Sequence, residues 1–364
     1  MRSTLLDRLV PEGVADLAAY IPPEGGCPVK LDANESPFLL PESVQEKASA
    51  AMSGVFMNRY PDPFSRGLRV AFAELCGCDP EHVMAGNGSD ELIALLLWTF
   101  RKGQNGSLPR ILVPSPTFAM YSIGARAAGY DVVQVRLGAD MAFQAEDFLE
   151  KVEECDPNIT FLSNPNNPTG TLVRAGDLER ILTASRGLVV IDEAYGDFSM
   201  EPSWCARVAD YDNLVVLRTL SKVGGAALRC GFMVAGDQIV GEVNKVRQPF
   251  NINSVTQAAG EVVLRHFPAV LKQVKTVVAE RDRLARVLQD AGIEVFPSRA
   301  NFLLVRAGGQ EEKLWEFLKE GDIVVKFLPR LDVAGDCLRI TVGTPGENDL
   351  LMARTGLFQE GERL

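Results

Sequence analysis

Between Asn164 and Arg229 the chain carries an amide, a carboxylate, a phenol, an amine and a guanidinium, each following or closing a short strand-like run. The stretches read Asn164-Pro-Asn-Asn-Pro-Thr-Gly170, Val189-Val-Ile-Asp-Glu-Ala-Tyr195, Arg218-Thr-Leu-Ser-Lys222 and Leu228-Arg-Cys-Gly231. Ligands of an open α/β sheet bind at the carboxyl ends of its strands, so side chains placed this way are expected to share one site. A lysine amine condenses with an aldehyde, and a carboxylate holds a pyridine nitrogen protonated so that the ring acts as an electron sink. Neutral donors suit a ring hydroxyl, while hydroxyls, an arginine and a helix N-terminus suit a phosphate. One cofactor, pyridoxal phosphate, presents all four groups.

Each residue also has a plainer reading. Most lysines are solvated surface groups, but Lys222 follows the apolar run Leu214-Val-Val-Leu217 and precedes a Gly-Gly pair, which puts its amine at the mouth of a sheet. Asp192 closes Leu188-Val-Val-Ile191. It could be a helix N-cap, yet no strong helix signal follows, and a carboxylate at a buried strand end needs a cationic partner. The pyridinium nitrogen would be that partner. Tyr195, three residues on, and Asn167, in a loop that could be merely a tight turn, are the expected donors to the ring oxygen.

Gly88-Ser-Asp90 opens a helix whose unpaired N–H groups suit a phosphate, although most such starts are simple caps. Gly86-x-Gly88 is no dinucleotide fingerprint, because Glu91 stands where the third glycine belongs. Phe118, after Pro114-Ser-Pro-Thr117, is equally suited to the core and to stacking on a planar ring. Arg339 interrupts the apolar strand Cys337-Leu-Arg-Ile-Thr-Val-Gly343 with no acidic residue alternating beside it. A substrate carboxylate or phosphate is its natural partner.

Elements of α/β type must position these groups. From about residue 85, short apolar runs alternate with helical stretches: Arg110–Val113, Asp131–Leu137, Ile159–Ser163, Gly187–Asp192, Asn213–Arg218 and Arg229–Ala235. That pattern predicts a mostly parallel sheet flanked by helices. Leu92 to Trp98 reads as a buried helix segment, and one long helix is expected over roughly Val262–Gln289. The proline-rich first forty-odd residues read as an irregular arm with an extended piece at Val29–Asn34. The C-terminal part reads as α+β, with strands at Glu294–Pro297, Asn301–Val305, Ile323–Lys326 and Cys337–Thr341. The expected division is an arm over 1–44, a large cofactor-binding domain over 45–260, and a smaller domain over 261–364.

Bulk properties narrow the function further. The 364 residues, 46% of them hydrophobic, suffice for two domains and a sizeable core. A net charge of -11, from 37 basic and 48 acidic residues, argues against nucleic acid or an anionic membrane as partner. Seven irregularly spaced cysteines form neither a disulfide framework nor a zinc pattern, which suits reduced thiols in the cytoplasm. The N-terminus lacks a secretory apolar region, and no run is long enough to cross a bilayer. Two histidines, His82 and His266, give little support to histidine metal sites or serine–histidine triads.

With these residues assembled, the chain resembles the class I/II aminotransferases of the aspartate-aminotransferase fold and, more narrowly, the histidinol-phosphate aminotransferase family. The matching stretches are Leu31–Pro37, Arg59–Pro63, Gly86–Glu91, Asn164–Gly170, Val190–Tyr195, Arg218–Lys222, Leu228–Gly231 and Leu338–Thr344. The resemblance implies a fold type I pyridoxal-phosphate enzyme, homodimeric, with Tyr60 reaching the neighbouring subunit's cofactor phosphate. It implies phosphate contacts from Ser89, Asp90, Thr219, Ser221 and Arg229, ring stacking by Phe118, and Tyr20 and Asn34 near the substrate. It implies catalysis by Lys222 supported by Asp192, Tyr195 and Asn167, with Arg339 binding the substrate's anionic group. The implied reaction moves the amino group of histidinol phosphate to 2-oxoglutarate.

Two features depart from the family pattern. Lys222 and Arg229 are seven positions apart, one fewer than usual, and Lys326 stands where an arginine is customary. Lysine binds phosphate as a point charge without the bidentate fork. Competing expectations are an aromatic amino acid aminotransferase, a phosphothreonine-type decarboxylase and, outside enzymes, a cofactor-binding regulator.

Overall fold

The computed structural model describes residues 4–19, 28–103 and 106–361. Runs such as Leu188–Asp192 and Leu214–Thr219 are short, β-branched and apolar at successive positions, which favours strands covered on both faces. The described strands are β1 (Val29–Leu31), β2 (Val83–Asn87), β3 (Arg110–Ser115), β4 (Asp131–Arg136), β5 (Ile159–Ser163), β6 (Leu188–Asp192), β7 (Leu214–Thr219), β8 (Cys230–Ala235), β9 (Glu294–Val295), β10 (Phe302–Arg306), β11 (Ile323–Leu331) and β12 (Gly335–Thr341).

Seven strands form one sheet in the order β2-β8-β7-β6-β5-β3-β4. From β7 to β4 neighbours run parallel, whereas β8 is antiparallel to both β7 and β2. Alternate residues feed two cores. Leu112, Leu162, Val189, Ile191, Val216 and Phe232 pack on one face, against helices that include Arg66–Cys76, Ala145–Cys155 and Ala175–Ala184. Ile111, Phe161, Val190, Val215, Leu217 and Met233 pack on the other, against helices Gly88–Thr99, Ala119–Ala127 and Asp237–Asn244.

A five-stranded sheet, ordered β1-β11-β12-β10-β9, joins the N-terminal β1 to the C-terminal strands. Val29, Leu31, Leu303, Ile323, Val325, Leu338 and Ile340 pack on one face with the helices Phe267–Asp290, Glu311–Glu320 and Pro345–Gly361. The period of two then sends Lys326, Arg339 and Thr341 to the opposite face. Arg339 there meets Asn167, in the loop after β5 of the large sheet, while Thr341 meets Asn34, just past β1.

Several expectations change. The helix expected over Val262–Gln289 is two helices, Ser254–Arg265 and Phe267–Asp290, broken at His266 with Pro268 in the first turn of the second, where a missing N–H costs nothing. Trp98 ends the apolar run half exposed, so that segment is not buried throughout. Arg229 precedes β8 rather than belonging to it, with φ +47° after a 3-10 turn. The arm is less irregular than expected, since Thr4–Leu9 and Glu12–Ala15 are helical. β2 was not foreseen, because Gly86 inside it weakens the strand signal. β11 runs on through Pro329 to Leu331, longer than the Ile323–Lys326 strand expected.

Candidate active site

Three neighbouring parallel strands end in the loops that carry the chemistry. β5 leads into Asn164–Gly170, β6 ends on Asp192, and β7 ends on Thr219, three residues before Lys222. Backbone bonds continue past the strand ends: Asn164 N–H donates to Asp192 O at 2.8 Å and Glu193 N–H to Leu217 O at 2.9 Å. The sheet's hydrogen-bond ladder thus fixes the spacing of the three loops.

Asp192 is buried at the tip of β6. Its Oδ2 accepts from Tyr121 Oη at 2.7 Å and its Oδ1 from the Ala194 N–H at 3.0 Å, both neutral donors. Burial pushes the carboxyl up to about 6, against the lowering pull of those two hydrogen bonds, and the negative charges of Asp90 and Glu193 push the same way as burial. A buried carboxylate with neutral donors and acidic neighbours favours a cationic partner.

Lys222 Nζ lies 5.6 Å from the centroid of the Tyr195 ring. The Tyr195 hydroxyl accepts from Asn34 Nδ2 at 3.0 Å, and its ring meets Phe302 edge-on at 5.1 Å. With Asn34 donating to this oxygen, the hydroxyl's own hydrogen is directed to another partner. Asn34 is buried with φ +55°. Its N–H donates to Thr341 Oγ1 at 2.9 Å, Thr341 Oγ1 donates to its Oδ1 at 3.1 Å, and Asn301 Nδ2 donates to its carbonyl at 3.1 Å.

The loop holding Asn167 is tied down on both sides. Asn166 Nδ2 donates to Pro116 O and to Thr169 Oγ1, and Val173 N–H to Asn164 Oδ1, each at 2.9 Å. Asn167 itself is buried, and its Oδ1 accepts from Arg339 Nη1 at 2.7 Å. Arg339 also donates from Nη2 to Asp32 O at 2.7 Å. Protein acceptors therefore hold the arginine that the sequence assigns to a substrate anion alone. Lys326 sits directly opposite Arg339 in the β11–β12 pairing.

A second cluster gathers where β2 and β8 meet the helix Gly88–Thr99. Thr219 Oγ1 donates to Ser221 Oγ at 2.9 Å, Arg229 Nη1 to Ser221 Oγ at 3.4 Å, and Arg229 Nη2 to Asp90 Oδ2 at 3.2 Å. The short Lys222–Arg229 link therefore still brings Arg229 to Ser221. The approach is tight: a Cβ on Gly231 would lie 2.5 Å from Gly88 C and 2.7 Å from Ser89 N. Only glycine leaves the helix's first N–H groups accessible at this distance. The Arg229–Asp90 pair is half exposed, and such pairs hold by about 1 kcal/mol or less, so an anion can rearrange it.

Pyridoxal phosphate fits this donor set at both ends. Ser89, Asp90, Thr219, Ser221 and Arg229 surround the helix start, and Asp192 supplies the carboxylate that lacks a cation. Phe118 is half-buried, 5.4 Å edge-on from Tyr121. Tyr60 stands apart, 81% exposed and stacked on Phe250 at 4.6 Å. Tyr20 lies outside the described residues. Sequence reasoning missed Tyr121, although Phe118-Ala-Met-Tyr121 is one helical turn and puts it beside a residue already singled out. It also missed Arg218, buried between Glu193 at 3.1 Å and Asp197 at 2.7 Å beneath the site.

Among the described residues no helix is long and apolar enough to cross a membrane. A family model described as "Aminotransferase class I and II" matches residues 28–354. The chain is 37% identical over 353 residues to histidinol-phosphate aminotransferase 2 of Cupriavidus pinatubonensis, covering 95% of each. It is 38% identical over 355 residues to the histidinol-phosphate aminotransferase of Thermococcus gammatolerans, covering 97% of this chain and 98% of the relative. Its fold is similar to that of the solved Sinorhizobium meliloti histidinol-phosphate aminotransferase in complex with pyridoxal-5'-phosphate, with TM-score 0.85 and 22% identity over 96% of this chain and 97% of the other. The match to the family model spans both sheets and every loop described above, and the chain belongs to the class I and II aminotransferases.

Proposed function

We infer that the protein is a pyridoxal-phosphate-dependent aminotransferase that transfers the amino group of L-histidinol phosphate to 2-oxoglutarate. The observation that carries the cofactor is Asp192, a buried strand-end carboxylate whose hydrogen-bond partners are neutral. The substrate rests on the relatives, which match this chain along nearly its whole length.

Bound pyridoxal phosphate supplies an aldehyde that receives the amino group and a protonated ring that draws electron density from the substrate's reacting carbon. Lys222 Nζ would hold that aldehyde and would carry a proton at the substrate's reacting carbon. Asp192 pairs with the ring nitrogen, and Asn167 Nδ2 and Tyr195 Oη donate to the ring oxygen. Ser89, Thr219, Ser221 and Arg229, with the Asp90 backbone N–H at the helix start, would bind the phosphate, and Phe118 would lie against the ring. Arg339 and Lys326, opposite one another across two strands, bind the substrate's anionic group, with Asn34 and Tyr20 beside it.

We also propose a cytoplasmic homodimer, with the chain divided at 1–44, 45–260 and 261–364. Tyr60, Phe56 and Met57 are each more than three-quarters exposed and line a groove of about 660 Å³ with Pro249 and Phe250, apolar surface of the kind a partner covers.

The test is to load the protein with pyridoxal phosphate, add histidinol phosphate, phenylalanine or phosphothreonine separately, and identify the products. Rapid formation of pyridoxamine phosphate with histidinol phosphate alone supports the reading. A preference for phenylalanine moves the chain to the aromatic aminotransferases, and carbon dioxide release from phosphothreonine makes it a decarboxylase.

A further inference from the structure

Tyr121 lies in the first turn of the helix Ala119–Ala127, just past Phe118, and is fully buried. Its ring stacks on Phe161 of β5, with centroids 4.8 Å apart and planes 9° from parallel, and meets the Phe118 ring edge-on at 86°. Held between two rings, the phenol has little freedom, and its hydroxyl reaches Asp192 Oδ2 at 2.7 Å. A buried tyrosine used only for packing needs no ionisable acceptor, and this one has the carboxylate on which cofactor binding turns.

We propose that Tyr121 is a positioning residue that keeps Asp192 ionised and oriented toward the cofactor's ring nitrogen. The inference rests on the cofactor reading given above. A hydrogen bond to the charged form of an acid favours that form, and in a low-dielectric site the effect is large. Tyr121 gives this help without adding charge: burial and the Asp192 carboxylate push its phenol well above the usual tyrosine range, so it stays a donor at any physiological pH. The surroundings make such help necessary. The charged groups acting on Asp192 are Asp90 at the start of helix Gly88–Thr99 and Glu193 on its own loop, both acidic. Glu193 is engaged by Arg218, and Asp90 by Arg229. The other polar groups near the pair are the Ala194 N–H, which donates to Oδ1, and the hydroxyls of Ser163 and Tyr195, which face Tyr121. Tyr121 is therefore the side-chain donor that opposes burial of the charge.

The discriminating ligands are pyridoxal phosphate and its carbocyclic analogue, in which a C–H replaces the ring nitrogen. Both make the aldehyde, phosphate and ring-face contacts, and only the first needs an ionised Asp192. Affinities of the apoprotein and of Tyr121→Phe are measured for both by fluorescence titration between pH 5 and 8. The expected result is about a tenfold loss for pyridoxal phosphate and less than about a twofold change for the analogue. The acid-side loss of pyridoxal phosphate affinity should also begin at higher pH in the variant. The ligand's own ionisations are common to both proteins and cancel in the comparison.

Equal losses for both ligands, or no loss for either, overturn the inference while leaving the cofactor reading intact. A wild-type protein that takes up neither ligand overturns both. Should Tyr121→Phe fail to fold, the double variant Tyr121→Phe/Asp192→Asn decides. Recovery of folding shows that the phenol serves the buried anion, and continued failure shows that it serves packing and overturns the inference.

Discussion

Arg339 on β12 donates from Nη1 to Asn167 Oδ1 at 2.7 Å, joining the face of the small sheet to a loop at the end of β5 in the large one. A guanidinium cannot accept a hydrogen bond, so Asn167 must turn its oxygen toward Arg339 and its Nδ2 elsewhere. The arginine thus selects the end of the amide left to donate in the site, and the small sheet helps set the chemistry of the large one.

Arg339→Lys should therefore act twice, by weakening the hold on the substrate anion and by releasing the Asn167 amide. Lysine reproduces the charge without the planar fork that reaches Asn167 and Asp32 O together. kcat/KM for histidinol phosphate should fall roughly 10- to 100-fold, with cofactor content unchanged. Steady-state kinetics beside the cofactor-to-protein ratio check this, and full activity in the variant would remove Arg339 from the site.

Replacing Lys222 should remove both the proposed covalent anchor and the proposed proton carrier. Lys222→Ala should lose turnover by at least about 10³-fold while still taking up pyridoxal phosphate non-covalently. Borohydride treatment followed by mass spectrometry should label the wild-type chain at Lys222 and leave the variant unlabelled. A Lys222→Ala protein with undiminished turnover would sink the enzyme reading.

Asp192 makes the apoprotein's stability depend on pH in a definite direction. Its folded carboxyl, at about 6, lies above the usual value of 3.8. The folded state consequently holds this proton more tightly than the unfolded chain, and the associated stability is present in full below about pH 4 and lost as pH rises through 6. Asp192→Asn does not titrate. Relative to wild type, apo Asp192→Asn should gain on the order of 2–3 kcal/mol between pH 4 and pH 8. Urea denaturation of both apoproteins at the two pH values measures the gap, and a pH-independent gap would contradict the assignment.

Arg218 holds two acids beneath the site. Its Nη1 donates to Glu193 at 3.1 Å and its Nη2 to Asp197 at 2.7 Å, and all three side chains are almost entirely buried. Ser203 Oγ and the Trp204 N–H also donate to Glu193, at 2.6 and 2.8 Å. Arg218→Ala leaves both carboxylates without their cation and should cost about 3–5 kcal/mol in urea unfolding at neutral pH. A loss below about 1 kcal/mol would mean that neighbouring donors satisfy the acids unaided.

Much of the site is legible in the sequence for a simple reason. A strand buried on both faces must be apolar throughout, so the first polar residue after such a run marks the edge of the sheet. Asp192 stands out on those grounds, Thr219 and Lys222 follow the apolar run Leu214–Leu217 within five residues, and Asn167 stands out through its loop. The breaks are less legible. Pro268 reads as a helix interruption only when placed in a first turn, and Gly86 hides a strand because its lack of a side chain matters only against a neighbour.

By itself the sequence determines which groups lie at the strand ends, and so the kind of cofactor they suit. Only the tertiary structure decides which groups hold one another. Tyr121 meets Asp192 across 71 positions, Asn34 meets Tyr195 across 161, and Arg339 meets Asn167 across 172. Hydrogen bonds form within about 3 Å and depend on angle, so these partnerships follow from how helices and the two sheets pack, which no local pattern of residues encodes.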